Sequence, residues 1–256
     1  MSFIFDGQQL SDFGYVEYAE GLKSDNVVVS GMNFDTIKGA TSDISLKVGH
    51  NYGENYSTTL LVMKDRCVWK EDEFLTDDDI SIMTRWLVRK QYKWFKYTEK
   101  DVWYKVQNTI EKVYLGEDVI GLSIHVNANA PYGFTDVIST TFTDKEFGLR
   151  VVSDEEGYIY PNVTLITEEG GDLILTNERT QDETRINRVS SGEMITIYGD
   201  SILQITTDKE DHDIAADFNY VFPKLYNEYN NALNEFTTNL KCSTIIEYRG
   251  IRKVGL

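Results

Sequence analysis

Hydrophobic and polar positions alternate along much of this chain, and the alternation predicts strands. Between Ser42 and Val48, Ile44, Leu46 and Val48 fall on one side and Asp43, Ser45 and Lys47 on the other. That is the pattern of a half-buried strand. Phe3-Ile4-Phe5 runs into the turn pair Asp6-Gly7, and Val27-Val28-Val29 runs into Ser30-Gly31. Thr58–Met63, Lys93–Tyr97, Val102–Lys112 and Val119–Val126 read as further strands, the last three rich in Tyr, Trp, Val and Ile. Short strands between polar turns predict sandwich packing, not alternating βαβ units.

One stretch changes period. Thr76 precedes Asp77-Asp78-Asp79, and Ile80, Met83 and Leu87 then recur at helical spacing with Ile82 and Trp86 alongside. Thr76 suits an N-cap, and three aspartates suit the positive end of a helix dipole. Arg85, Arg89 and Lys90 gather at the other end, so the segment reads as a helix with both ends marked. Adjacent carboxylates on a first turn point in different directions, which favours capping over a cation site.

After Ala130-Pro131-Tyr132-Gly133 the spacing changes, and we expect two domains, 1–135 and 136–256. Asn162–Thr167, the turn Glu168-Glu169-Gly170-Gly171 and Asp172–Asn177 read as a hairpin. Met194–Tyr198, Gly199-Asp200 and Ser201–Thr206 read as a second hairpin, and Lys241–Arg249 as a last alternating strand. Pro223–Phe236 reads two ways. Leu225, Tyr229, Leu233 and Phe236 have helical spacing, whereas the Asn and Tyr content favours a loop. The second half as a whole predicts an antiparallel sandwich or jelly roll.

Composition narrows the function classes. The 256 residues, 41% apolar and 26% charged, are ordinary for a folded globular protein. The longest apolar run, Leu60–Met63, is far below the ~20 residues of a membrane span, so no membrane insertion is expected. Met1–Leu10 has neither a basic start nor a long apolar stretch, so no secretory signal is expected either. Asp and Glu number 42 against 25 Lys and Arg, a net charge of −17. Tight DNA or RNA binding needs cations that displace counterions from phosphates, and this chain offers the opposite.

Motifs for catalysis are missing. The sequence has no P-loop, no Gly-x-Gly-x-x-Gly and no Gly-x-Ser-x-Gly elbow. His50, in the turn-like Gly49–Gly53, His125, in an apolar strand, and His212 lack metal-ligand spacing. Asp208, Glu210, Asp211, His212 and Asp213 could gather a cation, but they lack the glycine and terminal glutamate of a calcium loop. They read as a solvated acidic loop. Cys67 and Cys242 read as small buried hydrophobes. A pair of carboxylates across a cleft would serve a glycosidase, but 42 acids make such a pair uninformative. All four tryptophans, Trp69, Trp86, Trp94 and Trp103, lie in the first half. They suit a core, a protein interface or a sugar-stacking platform. No catalytic, cofactor-binding or metal residue is assigned.

In order along the chain, several short motifs resemble the distal tail protein family of long-tailed, non-contractile bacteriophages. They are Phe3–Gly7 with Phe13-Gly14, the helix ending in Trp86-Leu87, Lys93–Tyr97 and Trp103–Val106, and Pro131-Tyr132. Gly157-Tyr158 leading to Pro161, Leu173–Asn177, Phe222-Pro223 and Tyr248-Arg249 complete the series. The resemblance implies a mainly β chain, with an N-terminal β-sandwich carrying one α-helix and a galectin-like antiparallel β-sandwich after it. It implies a structural protein, not an enzyme, needing no cofactor and made in the host bacterial cytoplasm. Such proteins form a homo-hexameric ring that joins the tail tube protein to the tail-associated hub protein and anchors receptor-binding protein at the virion tail tip. DNA passes through the bore at ejection, and an acidic wall would not hold it. The alternatives from other classes are a carbohydrate- or receptor-binding module and a secreted glycoside hydrolase.

Overall fold

The computed structural model describes residues 2–18, 32–38, 45–70, 74–199, 203–228 and 232–253. Val27–Ser30, read above as a strand running into a turn, lies outside them. The chain divides into two compact units, Met1–Phe134 with Lys253–Leu256, and Thr135–Arg252. It is mainly β, and its sheets are antiparallel.

The first unit holds β1 (Phe3–Phe5), β2 (Gln8–Gln9), β3 (Tyr15–Glu17), β4 (Met32–Lys38), β5 (Ser45–Tyr52) and β6 (Ser57–Lys64). The short helix α1 (Arg66–Trp69) and the longer α2 (Asp77–Leu87) follow, then β7 (Lys93–Tyr97), β8 (Trp103–Leu115), β9 (Asp118–Ala128) and β10 (Gly133–Phe134). Seven strands pair in the order β2-β1-β7-β8-β9-β6-β3, and β10 adds to β8 at Phe134 opposite Trp103. β4 and β5 form a separate two-stranded ribbon. Asp6 and Gly7 both have positive φ, 51° and 79°, the backbone a two-residue hairpin between β1 and β2 requires.

Helix α2 begins where the sequence places it. The Asp79 amide donates to Thr76 Oγ1 at 3.2 Å, and the Thr76 amide donates back to Asp79 Oδ2 at 2.9 Å. This reciprocal cap satisfies amides the first turn would otherwise leave open. The Asp79 carboxylate also meets Lys64 Nζ at 3.0 Å. Partial burial disfavours its charge, yet the Thr76 amide and the Lys64 ammonium outweigh that and hold its pKa below the ordinary value. Lys64 itself is buried, donates to the Phe74 carbonyl at 2.7 Å and stands 4.4 Å over the Trp69 ring.

Met83, Trp86 and Leu87 carry the buried stripe of α2, with Ile80 partly buried. Ile82 departs from expectation. It is half exposed, because at about 100° per residue it turns off the stripe that Met83 and Leu87 share. Trp86 stacks on Phe13 at 4.3 Å and Phe3 at 5.9 Å between ring centres, and its indole N–H donates to the Phe5 carbonyl at 3.1 Å.

The second unit holds β11 (Ile138–Phe142), β12 (Glu146–Arg150), β13 (Gly157–Ile159), β14 (Asn162–Thr167), β15 (Gly171–Asn177) and β16 (Asp182–Val189). It continues with β17 (Met194–Tyr198), β18 (Gln204–Thr207), the single turn α3 (Ile214–Asp217), β19 (Leu225–Asn227), β20 (Leu233–Thr238) and β21 (Cys242–Tyr248). A five-stranded sheet, β11-β21-β14-β17-β18, and a four-stranded sheet, β12-β20-β15-β16, share one core. Val163, Leu165, Ile195, Ile197 and Ile246 come from the first sheet, and Leu173, Leu175, Ile186 and Phe236 from the second.

Two expectations need correction here. β14 and β15 do not form a hairpin: β14 pairs with β17 and β21, and β15 with β16 and β20. The Glu168–Gly171 turn carries the chain across the core from one sheet to the other. The described residues of Pro223–Phe236 contribute β19 and the start of β20 and no helix, and Tyr229 of the helical spacing lies outside the described residues. Asn234 explains why polar residues suit this stretch. Wholly buried, it accepts the Tyr226 amide at 2.8 Å and donates to the Tyr226 carbonyl at 2.9 Å. The second expected hairpin is present as β17 and β18, with 200–202 outside the described residues.

Trp86→Ala should cost about 3–5 kcal/mol of stability, since it removes a buried indole that β1 and the turn after β2 close upon. Thr76→Ala should cost about 1 kcal/mol, the usual value of a lost N-cap. Thermal or denaturant unfolding followed by tryptophan fluorescence and circular dichroism measures both; equal losses would contradict the assignment of Trp86 as the larger contributor.

Candidate assembly surface and the buried charge cluster

The alternating segment Ser42–Val48 is where the structure departs most from the sequence reading. Its described part belongs to β5, which among the described residues pairs with β4, from Met32 opposite Tyr52 to Lys38 opposite Ser45. Ile37 and Leu46 sit directly opposite one another and are 60% and 64% exposed, and Val48 is 60% exposed. The strand is therefore not half-buried within its own chain. A two-stranded ribbon is marginal in water without a covering layer, so an apolar pair at its far end is an unsatisfied surface. The base of the ribbon is tied down, with Tyr52 edge-on to Tyr132 at 5.5 Å.

The aromatic residues divide by role. Trp86 is core, whereas Trp69, Trp94 and Trp103 are half-buried. Trp94 lies under Lys105 and edge-on to Phe134, and Trp103 lies under Lys96. The Trp69 indole donates to the Gly14 carbonyl at 2.8 Å. Gly14 has φ +75°, and a Cβ there would stand 2.6 Å from that indole nitrogen, so both backbone and space require glycine.

Among the expected small buried hydrophobes, Cys242 is buried but Cys67 is exposed, because α1 turns it outward while fixing Trp69 inward; both are free thiols. Gly49–Tyr52 is strand, not turn, and the His50 side chain lies outside the described residues. His125 bonds Thr59 Oγ1 at 2.9 Å and faces Glu111 at 3.3 Å across neighbouring strands.

His212 overturns the picture of a uniformly solvated acidic loop. Its side chain is only 7% exposed and lies between two carboxylates, with Nδ1 2.5 Å from Glu193 Oε1 and Nε2 3.0 Å from Asp217 Oδ2. Asp217 is gripped on its other side by Arg188, at 2.8 Å to 3.1 Å through both nitrogens. Glu193 also accepts the Ser190 amide at 2.8 Å and the Thr207 hydroxyl at 2.5 Å. Burial works against the imidazolium, but Glu193 and Asp217 outweigh it and raise the His212 pKa. Burial likewise works against Glu193, and its hydrogen bonds outweigh it and lower its pKa; the Arg188 guanidinium lowers that of Asp217. The other acids serve locally. Asp213 caps α3, Asp208 accepts the Met194 amide, and Glu210 and Asp211 are exposed. No group among the described residues is arranged to hold a metal ion. Sequence reasoning singled out His212 among its acids. It missed Glu193, whose pairing depends on a tertiary turn 19 residues away.

The second unit also exposes a tyrosine pair. Tyr158 on β13 and Tyr226 on β19 are register partners with ring centres 5.5 Å apart. Lys224 stands over Tyr158 and pairs with Asp182; Arg179 stands over Tyr226 and pairs with Glu228.

Comparison with known proteins places these features in a family. A family model described as phage tail protein N-terminal domain matches residues 1–130, and one described as phage tail C-terminal domain matches residues 132–248. No curated protein matches the chain. Among solved structures it is similar to the Dit protein (gp 19.1) of phage SPP1, described as a paradigm of the hub adsorption apparatus in phages infecting Gram-positive bacteria. That match has a TM-score of 0.65 at 10% identity and covers 97% of this chain and 98% of the other. Such a likeness speaks for the fold, and the two family models speak for descent. The chain belongs to this family of phage tail proteins, and it has the fold of a distal tail protein.

Proposed function

We propose that this chain is a distal tail protein, a structural component of the virion tail tip that closes into a homo-hexameric ring. In this reading the first unit builds the ring. The second, taken as a galectin-like domain, serves the receptor-binding parts. The ring joins the tail tube protein to the tail-associated hub protein, and DNA crosses its bore at ejection. The observation that carries the ring is the β4–β5 ribbon, whose Ile37 and Leu46 find no cover among the described residues. A cyclic assembly repeats one heterologous contact until it closes, so each subunit must present a patch that its neighbour completes. An apolar ribbon end fits that requirement.

The protein works by shape and charge, and no reaction is assigned to it. A glycan-binding reading would look to Tyr158 and Tyr226. Each of those rings already carries a cation over one face and its partner tyrosine beside it, which leaves little free ring for a sugar.

Mass measurement in solution should give a hexamer, or a monomer that becomes one at higher concentration or with its tube and hub partners. The double variant Ile37→Asp, Leu46→Asp should keep the wild-type circular dichroism and melting temperature. It should weaken assembly at least about tenfold per contact, roughly 1.4 kcal/mol. A variant that assembles like the wild type would move the contact elsewhere, and a wild-type chain that stays monomeric with its partners would overturn the ring. In a mobility-shift assay at moderate salt, double-stranded DNA should form no tight complex, because a chain of net charge −17 neutralises few phosphates. A tight complex that weakens with salt would overturn the conduit reading.

A further inference from the structure

We propose that Glu193, His212, Asp217 and Arg188 form a proton-operated latch that holds residues 207–222 on the second unit and releases them when His212 loses its second ring proton.

The geometry requires the charged imidazole. Both ring nitrogens face carboxylate oxygens, at 2.5 Å and 3.0 Å. A neutral imidazole has one N–H, so one of these contacts would then set a lone pair against a carboxylate. Both carboxylates are at least nine-tenths buried, so water cannot relieve that repulsion. Protonated, the chain alternates in sign: Glu193 negative, His212 positive, Asp217 negative, Arg188 positive. Deprotonated, it leaves one uncompensated negative charge in the second unit.

The ties act on one segment. Thr207 and His212 hold Glu193, which precedes β17, while Asp217 at the end of α3 holds Arg188 of β16. Other charged groups nearby are Asp213, which supports the Arg188 charge, Asp208, whose carboxylate accepts the Met194 amide, and Asp172, which accepts the Arg188 amide; Lys209, Glu210 and Asp211 flank His212 on its own segment, and Arg185 of β16 pairs with Glu183. β18, packed against α3, brings no charged side chain. Beneath the latch, Ile214 and Phe218 are buried, with Phe222 packed against the same core, and Phe218 bridges to Ile186 of β16. Opening would expose this apolar underside and free Thr207 at the end of β18, whereas the rest of both sheet ladders stays.

The sign follows from the direction of each shift. The His212 pKa is raised on folding, so its contribution is complete below the ordinary histidine value of about 6.5 and is lost as pH rises through the raised value. Glu193 and Asp217 are lowered, so their contribution is complete above the ordinary carboxylate range and is lost only as pH falls through their depressed values. The latch is closed at mildly acid pH, above the depressed carboxylate values, and opens as pH rises from about 6.5 through the raised His212 value.

Nuclear magnetic resonance on the full chain tests it. The ring nitrogens of His212 should both be protonated at pH 6 and titrate above the ordinary value. Amide exchange should be followed at Asp208, Asp217 and Asn219, which donate to Met194, Asp213 and Arg185 carbonyls, with Leu165 in β14 as internal reference. Protection of these three relative to Leu165 should start to fall near pH 6.5. The total fall should be about tenfold for each unit by which His212 titrates above that value. His212→Gln should show the open ratio at every pH; the wild-type measurement stands on its own if that variant does not fold. A flat ratio across the titration of His212, an ordinary or lowered His212 pKa, or an equal loss at Leu165 would each overturn the latch.

Discussion

The first unit depends on the indole of Trp86. A tryptophan can be buried only where its N–H finds an acceptor, and here the acceptor is the Phe5 carbonyl of β1. That bond fixes the last turn of α2 against the first strand, while Phe3 and Phe13 close on the ring from β1 and the turn after β2. At the other end of α2, Asp79 serves both the cap and Lys64 of β6. The helix is thus pinned at both ends to strands that lie apart in the sheet order. A buried lysine between them is tolerable because the carboxylate, a carbonyl and the Trp69 ring all receive its charge.

How much was legible follows from how local each determinant is. Helix α2 was readable because its cap, its dipole charges and its apolar stripe lie within twelve residues, 76–87. The Asp6-Gly7 turn was readable for the same reason. β14 and β15 were misread as partners because a turn sequence states that the chain reverses, not which sheet receives it. That choice is set by Leu173 and Leu175 packing across the core from Val163 and Leu165. Within Pro223–Phe236, hydrophobic spacing suggested a helix, but Asn234 satisfies the Tyr226 backbone from a strand, a pairing no periodicity encodes.

His212 and the ribbon show two further limits of pattern reading. The run from Asp208 to Asp213 looks uniformly wet, and four of its acids do remain outside or at a cap. One histidine turns inward because two carboxylates from other elements wait for it. Burial there is a property of the partners, not of the run. The other buried polar side chains of the second unit, Asn177, Asn227 and Asn234 among them, are uncharged, so a balanced row of charges is costly to build and specific in where it sits.

The ribbon carries the complementary lesson. Alternation at Ser42–Val48 predicts a strand with one buried face; the structure shows strand from Ser45 on, with no cover for Leu46 or Val48 among the described residues. Alternation reports that an apolar face exists; it does not say which molecule buries it. The two cores are closed, Phe3, Phe5 and Phe95 on one side and Ile195, Ile197 and Phe236 on the other being essentially inaccessible, while Ile37 and Leu46, like Tyr114 and Leu115, are more than half exposed. A net charge of −17 favours solubility of a separate chain, and in the proposed ring it sets neighbouring copies against one another at long range. In the proposed ring, association comes from short-range burial strong enough to overcome that repulsion, and the cross-strand pair Ile37 and Leu46 is the apolar surface that the proposal assigns to it.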